Sequence, residues 1–424
     1  MRMFIPLRYR FIANVRQMLT ARSFFILTCI SFAISVCWIQ FVDRRNFPPL
    51  NESLIREALE NVARDYRYAE VYRKTERLPV ETKFILWWTP EDIAPFYFFD
   101  HGQRGFIKKN CSLINCFVTS DRNLFNGDLT KFHAIAFNGR SIVNMPSSHL
   151  PKQRTQEQKY IFFNMESADN YPICGQHFED FFNWTSTYKL DSDLPYPYIQ
   201  IKNLDGQIVG PEKNMTWEET PGGISEDLFY RIQNKTKAVA WFVSNCKSRN
   251  NRLELAKELQ KALSVHGYTV DIYGECGPLK CPRSTVHDCN SFLERDYFFY
   301  LSFENSFSED YVTEKLLTAL QHDVVPIVFG GADYSRFLPP GSYLDARKST
   351  PQELASTIAN LIKYPKTYSH YFRWKNNYMY RNPATTDNVC ALCAAMNNVE
   401  MMKSQTTYPN FRHWWNPNYK ERCS

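Results

Sequence analysis

The residues best suited to chemistry lie in one run, FENSFSEDYVTEK, residues 303–315, where Asn305, Tyr311, Glu314 and Lys315 fall along a polar loop and into a helix predicted to start at about Tyr311. An apolar strand, Phe298 to Phe303, leads into it; a second, Val324 to Phe329, leaves it and ends on Gly330-Gly331. Strand, helix, strand is a βαβ unit, and in such units ligands bind where strand C-termini meet helix N-termini. A helix N-terminus offers free N–H groups and the positive end of a dipole. With Lys315 beside it the place suits a phosphate, and Glu314 suits sugar or ribose hydroxyls. The competing reading of the same two residues is a surface Glu-Lys ion pair.

A second positive feature follows another strand end, SNCKSRNNR, residues 244–252, where Arg252 stands at a predicted helix start and can meet the same diphosphate. Neither GxGxxG nor GxxxxGK[ST] occurs, so those phosphate loops are excluded. Glu166 ends the apolar strand YIFFNMES; a carboxylate there can act as a base, but by pattern alone it reads as a solvated loop glutamate. Asp191-Ser192-Asp193 is a D-x-D followed by a proline-stiffened loop, a weak metal signal. Cys276, Cys281, His287 and Cys289 have zinc-ligand chemistry, as does Cys390-x-x-Cys393, but in an oxidising compartment disulfides are the preferred reading.

These residues need a compartment and a scaffold. The chain has 424 residues, 44% hydrophobic and 22% charged, which is globular composition. Five arginines among residues 1–22 supply +5 of the net +6, leaving +1 for residues 23–424, so the basic excess is a tail and not a nucleic-acid-binding face. Residues 1–23 are read as a cytoplasmic tail and 24–42, FFILTCISFAISVCWIQFV, as a retained signal-anchor. At about 1.5 Å per residue such a helix spans roughly 28 Å, close to a bilayer core. Five sequons, at Asn51, Asn110, Asn183, Asn214 and Asn234, and ten of twelve cysteines lie beyond the span, in keeping with a lumenal body.

Residues 43–82 form a charged stem. Short apolar strands alternating with helical pieces give a first α/β domain over 83–215 and a second over 216–385. A Gly/Pro-rich linker candidate lies at 205–227, and a cysteine-containing segment covers 386–424. A helix is predicted from Pro351 to Lys363, with proline in its first turn.

With these residues in place, FENSFSEDYVTEK and the VPIV strand after it resemble the signature of the eukaryotic and bacterial α1,3-fucosyltransferases. The resemblance runs from about Phe84 to Cys393, through SNC-x5-R, the Tyr273-Gly274 pair and FNWT-x2-YKLDSD. It implies an α/β, GT-B-like fold of two Rossmann-like domains facing a cleft, and an inverting transfer of L-fucose from GDP-β-L-fucose to a GlcNAc of glycoprotein glycans. By position it implies donor-binding roles for Ser244, Asn245, Arg252, Tyr273, Asn305, Tyr311, Glu314 and Lys315. It makes Glu166 the general base, reversing the pattern-only reading, and makes D-x-D a family motif that binds no metal.

No cofactor is required by this mechanism, divalent-metal stimulation is left open, and the expected address is the Golgi membrane. Cys111 and Cys116 are expected to pair with Cys390 and Cys393. The chain departs from the family at Ala168, at Phe137-Asn138-Gly139-Arg140 and at His322-Asp323. The first two lie on the acceptor side, so the acceptor glycan is not fixed by the motif. The alternatives are an inactive glycan-binding relative and a protein O-fucosyltransferase.

Overall fold

In the computed structural model the described residues are 81–220, 222–281, 286–383 and 386–424. The expected tail, membrane span and stem, with Asn51, lie outside them. Among the described residues no helix is long and apolar enough to cross a membrane. Among the described residues, 81–122 and 128–424 belong to one compact unit, and the turn at 123–127 is described by itself.

Five strands, β1 (Lys83–Trp87), β2 (Cys116–Thr119), β3 (Ala134–Asn138), β4 (Lys159–Asn164) and β5 (Trp184–Thr187), form a parallel sheet in the order β2-β1-β3-β4-β5. Strands β3 and β4 are buried at every position, which is why AIAFN and KYIFFN are largely apolar without in-out alternation. Next come β6 (Gln200–Asn203) and β7 (Ile208–Gly210), an antiparallel pair. The predicted linker is therefore corrected: residues 205–227 supply β7, and Met215 and Trp217 pack against a buried cluster that contains Ile201. Glycine and proline here shape an ordered return of the chain.

A second parallel sheet is built from β8 (Lys237–Phe242), β9 (Val270–Tyr273), β10 (Tyr297–Phe303), β11 (Val325–Phe329) and β12 (Leu344–Asp345), in the order β12-β11-β10-β8-β9. Counted from its own first strand, each sheet runs 2-1-3-4-5, the doubly wound order whose ligand crevice opens at the C-terminal ends of its first and third strands. That crevice lies between β1 and β3 in the first sheet and between β8 and β10 in the second.

Helices α1 (Arg252–Ser264), α2 (Glu314–Gln321) and α3 (Pro351–Lys363) cover the second sheet. Leu259 and Leu263 of α1 join Leu354, Ile358 and Leu361 of α3 over Val239, Trp241 and Phe299, while Leu316, Leu317 and Leu320 of α2 pack with Val328 in a separate cluster. Helix α3 begins where proline placed it because Thr350 and Glu353 form a reciprocal capping box ahead of Pro351.

Strand β13 (Tyr378–Arg381) then returns to pair antiparallel with β6. The chain crosses back to the first sheet through α4 (Thr386–Asn397), whose Val389, Leu392 and Met396 complete the core around Ile85, Phe106 and Val118. Disulfides Cys111–Cys390 and Cys116–Cys393 fasten it there. Beyond it, Phe411 and Trp415 pack their rings on Phe162 of β4 at 4.9 Å, and Cys423 bonds Cys174.

Candidate active site

The crevice between β8 and β10 is built by charged groups taken out of water. Arg252, 3% exposed, is the first residue of α1. Its Nη1 donates to the carbonyl of Phe303 (2.6 Å), its Nη2 to that of Asn245 (3.2 Å), and its guanidinium lies 5.6 Å from the Trp241 ring centre. Across the crevice Glu304, 1% exposed, accepts from the backbone N–H of Thr313 (2.8 Å), from the Thr313 hydroxyl (2.9 Å) and from Lys315 Nζ (3.2 Å). Lys315 also reaches Thr313 Oγ1 (2.7 Å) and Glu314 (3.2 Å).

Burial pushes the Glu304 carboxyl up, and Lys315 offsets only part of this. For Lys315 the balance goes the other way: burial would lower the ammonium, but Glu304 and Glu314 outweigh it and raise its pKa. Burial lowers Arg252 too, yet a guanidinium this basic stays charged.

Two expectations change here. Helix α2 starts at Glu314, not Tyr311, because Glu304 holds Thr313 by both its N–H and its hydroxyl and keeps that turn extended. The helix N-terminus is consequently engaged by an internal carboxylate, and the cations left at the crevice are the Arg252 and Lys315 side chains. Around Glu304, Ser248 Oγ, Asn250 Oδ1, Arg252 Nε and Tyr334 Oη are buried without hydrogen-bond partners. Buried polar groups are nearly always satisfied, so a cluster of exceptions beside two cations fits a polyanionic, hydrogen-bonding ligand. Gly331 is needed because a Cβ there would stand 2.5 Å from the Ser308 nitrogen. Loop 304–310 lies that close to the end of β11.

Glu166 follows β4. It is half-buried, and its backbone N–H is held by Asn164 Oδ1 (2.8 Å). A Cβ on Gly139 would strike Asn164 Nδ2 at 2.5 Å, which ties the departure at Asn138-Gly139 to this turn. Tyr198 donates to the Met165 carbonyl (2.6 Å), and Tyr311 is buried with its ring 4.9 Å from that of Tyr188 and 6.3 Å from that of Tyr198. Burial raises both Tyr198 and Tyr311, and the nearby Glu166 charge adds to it. Asn170 Nδ2 bonds Asn305 Oδ1 at 3.1 Å. The fold thus brings the turn after β4 onto the loop after β10, residues separated by about 140 positions in sequence.

The sequence matches the profile for fucosyltransferase N-terminal regions over residues 80–199 and that for glycosyltransferase family 10 (fucosyltransferase) C-terminal regions over residues 232–414. It is 37% identical over 311 residues to α-(1,3)-fucosyltransferase C of Drosophila melanogaster, covering 72% of this chain and 70% of that one. The chain belongs to glycosyltransferase family 10, the fucosyltransferases. It is 35% identical to glycoprotein 3-α-L-fucosyltransferase A of the same organism, covering 74% of this chain and 57% of that one. A crystal structure of α1,3-fucosyltransferase with GDP-fucose is 15% identical, with 79% of this chain and 96% of that one covered and a TM-score of 0.45.

The other residues expected to serve this fucosyltransferase differ in how far they open to solvent. Ser244 and Asn245 are exposed on the loop after β8, which Cys246–Cys276 pins to the segment after β9. Glu314 is 61% exposed, free to meet hydroxyl groups. Tyr273 is a correction: its hydroxyl meets Tyr297 Oη (2.7 Å) and its ring packs with Phe242 and Phe292. Its side chain belongs to the core, and only its backbone at the end of β9 is left for a ligand.

Asn183 is the second correction. It is 5% exposed, accepts from the Tyr160 N–H (3.0 Å) and donates to the Thr406 carbonyl (3.1 Å), so its amide nitrogen has no room for a glycan in this fold. Asn110, Asn214 and Asn234 are exposed. Asp193 accepts from the Thr185 N–H (2.8 Å) and from Tyr408 (2.6 Å), a structural use of the D-x-D. The zinc alternative is dismantled by Cys246–Cys276 and Cys281–Cys289, and among the described residues no group of His, Cys, Asp or Glu side chains is arranged to hold a metal ion. Sequence reasoning missed Glu304, which it read only as the start of a polar loop. Its signal was a carboxylate directly after a largely apolar strand, where burial requires a cationic partner.

Proposed function

We propose that this fucosyltransferase moves L-fucose from GDP-β-L-fucose, in α1,3 linkage and with inversion, onto a GlcNAc of glycoprotein glycans. The observation that carries this reading is the placement of two cations at the crevice of the second sheet, Arg252 on the Phe303 carbonyl and Lys315 on Glu304, against which the turn bearing Glu166 is packed. The names of the similar fruit-fly enzymes support both the α1,3 linkage and a glycoprotein acceptor.

In this mechanism the acceptor hydroxyl attacks the anomeric carbon while Glu166 takes its proton, and the bond from that carbon to the diphosphate oxygen breaks. Charge grows on the departing GDP. Arg252 and Lys315, fixed in a site largely shut off from water, stabilise that growing charge more than they stabilise the ground state. Ser244 and Asn245 flank the nucleotide, while Asn305, Tyr311 and Glu314 line the fucose end. The two doubly wound sheets, donor groups on one and base on the other, make the GT-B-like arrangement we assign. The expected anchor at residues 24–42 makes the body lumenal in the Golgi.

The test is transfer from GDP-fucose to a panel of N-glycans, LacNAc and LacdiNAc, with linkage read from the product. Transfer to none of them would sink the proposal. Glu166→Gln is expected to reduce transfer to a slow residual rate and to keep GDP binding; normal turnover in that variant would remove Glu166 as the base.

A further inference from the structure

Directly behind Glu166, hydroxyl groups hook the two sheet-bearing halves together. Ser306 Oγ donates to Ser167 Oγ (2.5 Å), and the hydroxyls of Ser167 and Ser308 share a hydrogen bond (2.8 Å). The Asp169 N–H donates to Ser167 Oγ (3.1 Å) and Ser308 Oγ (3.0 Å). Ser306 Oγ also donates to Asn305 Oδ1 (3.0 Å), so its one proton is shared between Ser167 and Asn305, and the Tyr188 hydroxyl accepts from the Ala168 N–H (2.9 Å) beside the network. Ser167, Ser306 and Ser308 are all buried. The network stands apart from the unpartnered polar atoms of the donor crevice, because each of its three hydroxyls is bonded.

Hydroxyls bonded to one another in this way reinforce each other away from water. One end of the network belongs to the loop that carries Asn305 and is continuous with Glu304, the partner of Lys315. The other belongs to residue 167, one peptide bond from Glu166. The separation between the base and the donor groups is therefore set by these three hydroxyls and not by sheet packing alone. We propose that Ser167, Ser306 and Ser308 are positioning residues for fucose transfer, a clasp that fixes Glu166 at its working distance from the anomeric carbon. This rests on the reading of Glu166 as the base.

A shift of the base by about 1 Å can cost up to a hundredfold in rate. In the full-length protein, Ser308→Ala is expected to lower kcat roughly ten- to a hundredfold. It should leave Kd for GDP within about twofold, because no clasp hydroxyl contacts Arg252, Glu304 or Lys315 and separate sites act nearly independently. In a Glu166→Gln background the same substitution should cost no further rate in the slow residual transfer measured at high enzyme, since the group it positions is gone.

Three results would overturn the clasp: kcat within about twofold of the parent, GDP affinity falling in step with kcat, or a full additional loss on top of Glu166→Gln. If Ser308→Ala does not fold, Ser306→Ala carries the same three expectations. Failure of the base reading is separate, because it shows as normal turnover in Glu166→Gln whatever the serine variants do.

Discussion

The two parallel sheets share one strand order, yet their crevices are finished in opposite ways. Between β8 and β10 the loops leave Ser248, Asn250, Arg252 and Tyr334 with buried polar atoms that find no partner. Between β1 and β3 the chain closes on itself. There the Asn138 N–H donates to Thr89 Oγ1 (2.8 Å), Asn138 Nδ2 donates to the Ala94 carbonyl (2.8 Å), and Asn138 Oδ1 accepts from the Arg140 N–H (3.1 Å). The Arg122 guanidinium lies 3.6 Å from the centre of the Trp88 ring beside it. Topology supplies a crevice to both sheets, and loop chemistry makes only one of them suited to an anionic ligand. The first half instead presents its candidate base one strand further on, after β4.

The largest expected effect separates the two crevices. Arg252→Met removes a buried cation and leaves Glu304 short of positive charge, so GDP binding should weaken by roughly 2–5 kcal/mol, about thirtyfold or more in Kd. Calorimetric titration with GDP measures it, and affinity within about threefold of the parent would break the comparison. The counterpart, Asn138→Ala, should leave GDP affinity unchanged and lower fold stability by about 1–3 kcal/mol, because the Ala94 carbonyl and the Arg140 N–H each lose a partner. Thermal melting checks the second effect. A loss of GDP affinity in Asn138→Ala comparable to that in Arg252→Met would show that the first crevice also serves the donor.

The contrast was only partly legible in the sequence. The strand run at 298–303, the helix at 351–363 and the strand at 325–329 were readable because burial on both faces and a capping box leave local patterns. Arg252 and Lys315 were readable as cations in the first turns of helices that follow strands. What could not be read was how those cations are balanced, since the Glu304–Lys315 pair depends on an extended turn at Thr313 that helix periodicity obscures. Tyr273 misled for a related reason: a tyrosine at a strand end looks available, and only the fold shows Tyr297 and Phe292 waiting for it. The serine clasp joins residues about 140 apart, a separation at which no local spacing rule operates.

The smallest effect concerns the charges that join the loops of the two sheets. Glu309, after β10, meets Lys189 (2.9 Å), just beyond β5, and Lys213 (2.6 Å). Burial would raise its carboxyl, but the two lysines outweigh it and bring the pKa down to about 2. A carboxylate depressed in the fold contributes stability that is fully present above its unfolded value of about 4.3 and is lost as pH falls from there toward 2. Because 41% of the side chain is in solvent, screening limits this to on the order of 1 kcal/mol at most. Melting temperatures of the parent and of Glu309→Gln should therefore differ in the parent's favour at pH 7 and converge as pH falls below about 4. A difference independent of pH would mean that this carboxylate ties the halves by shape and hydrogen bonding and not by its charge.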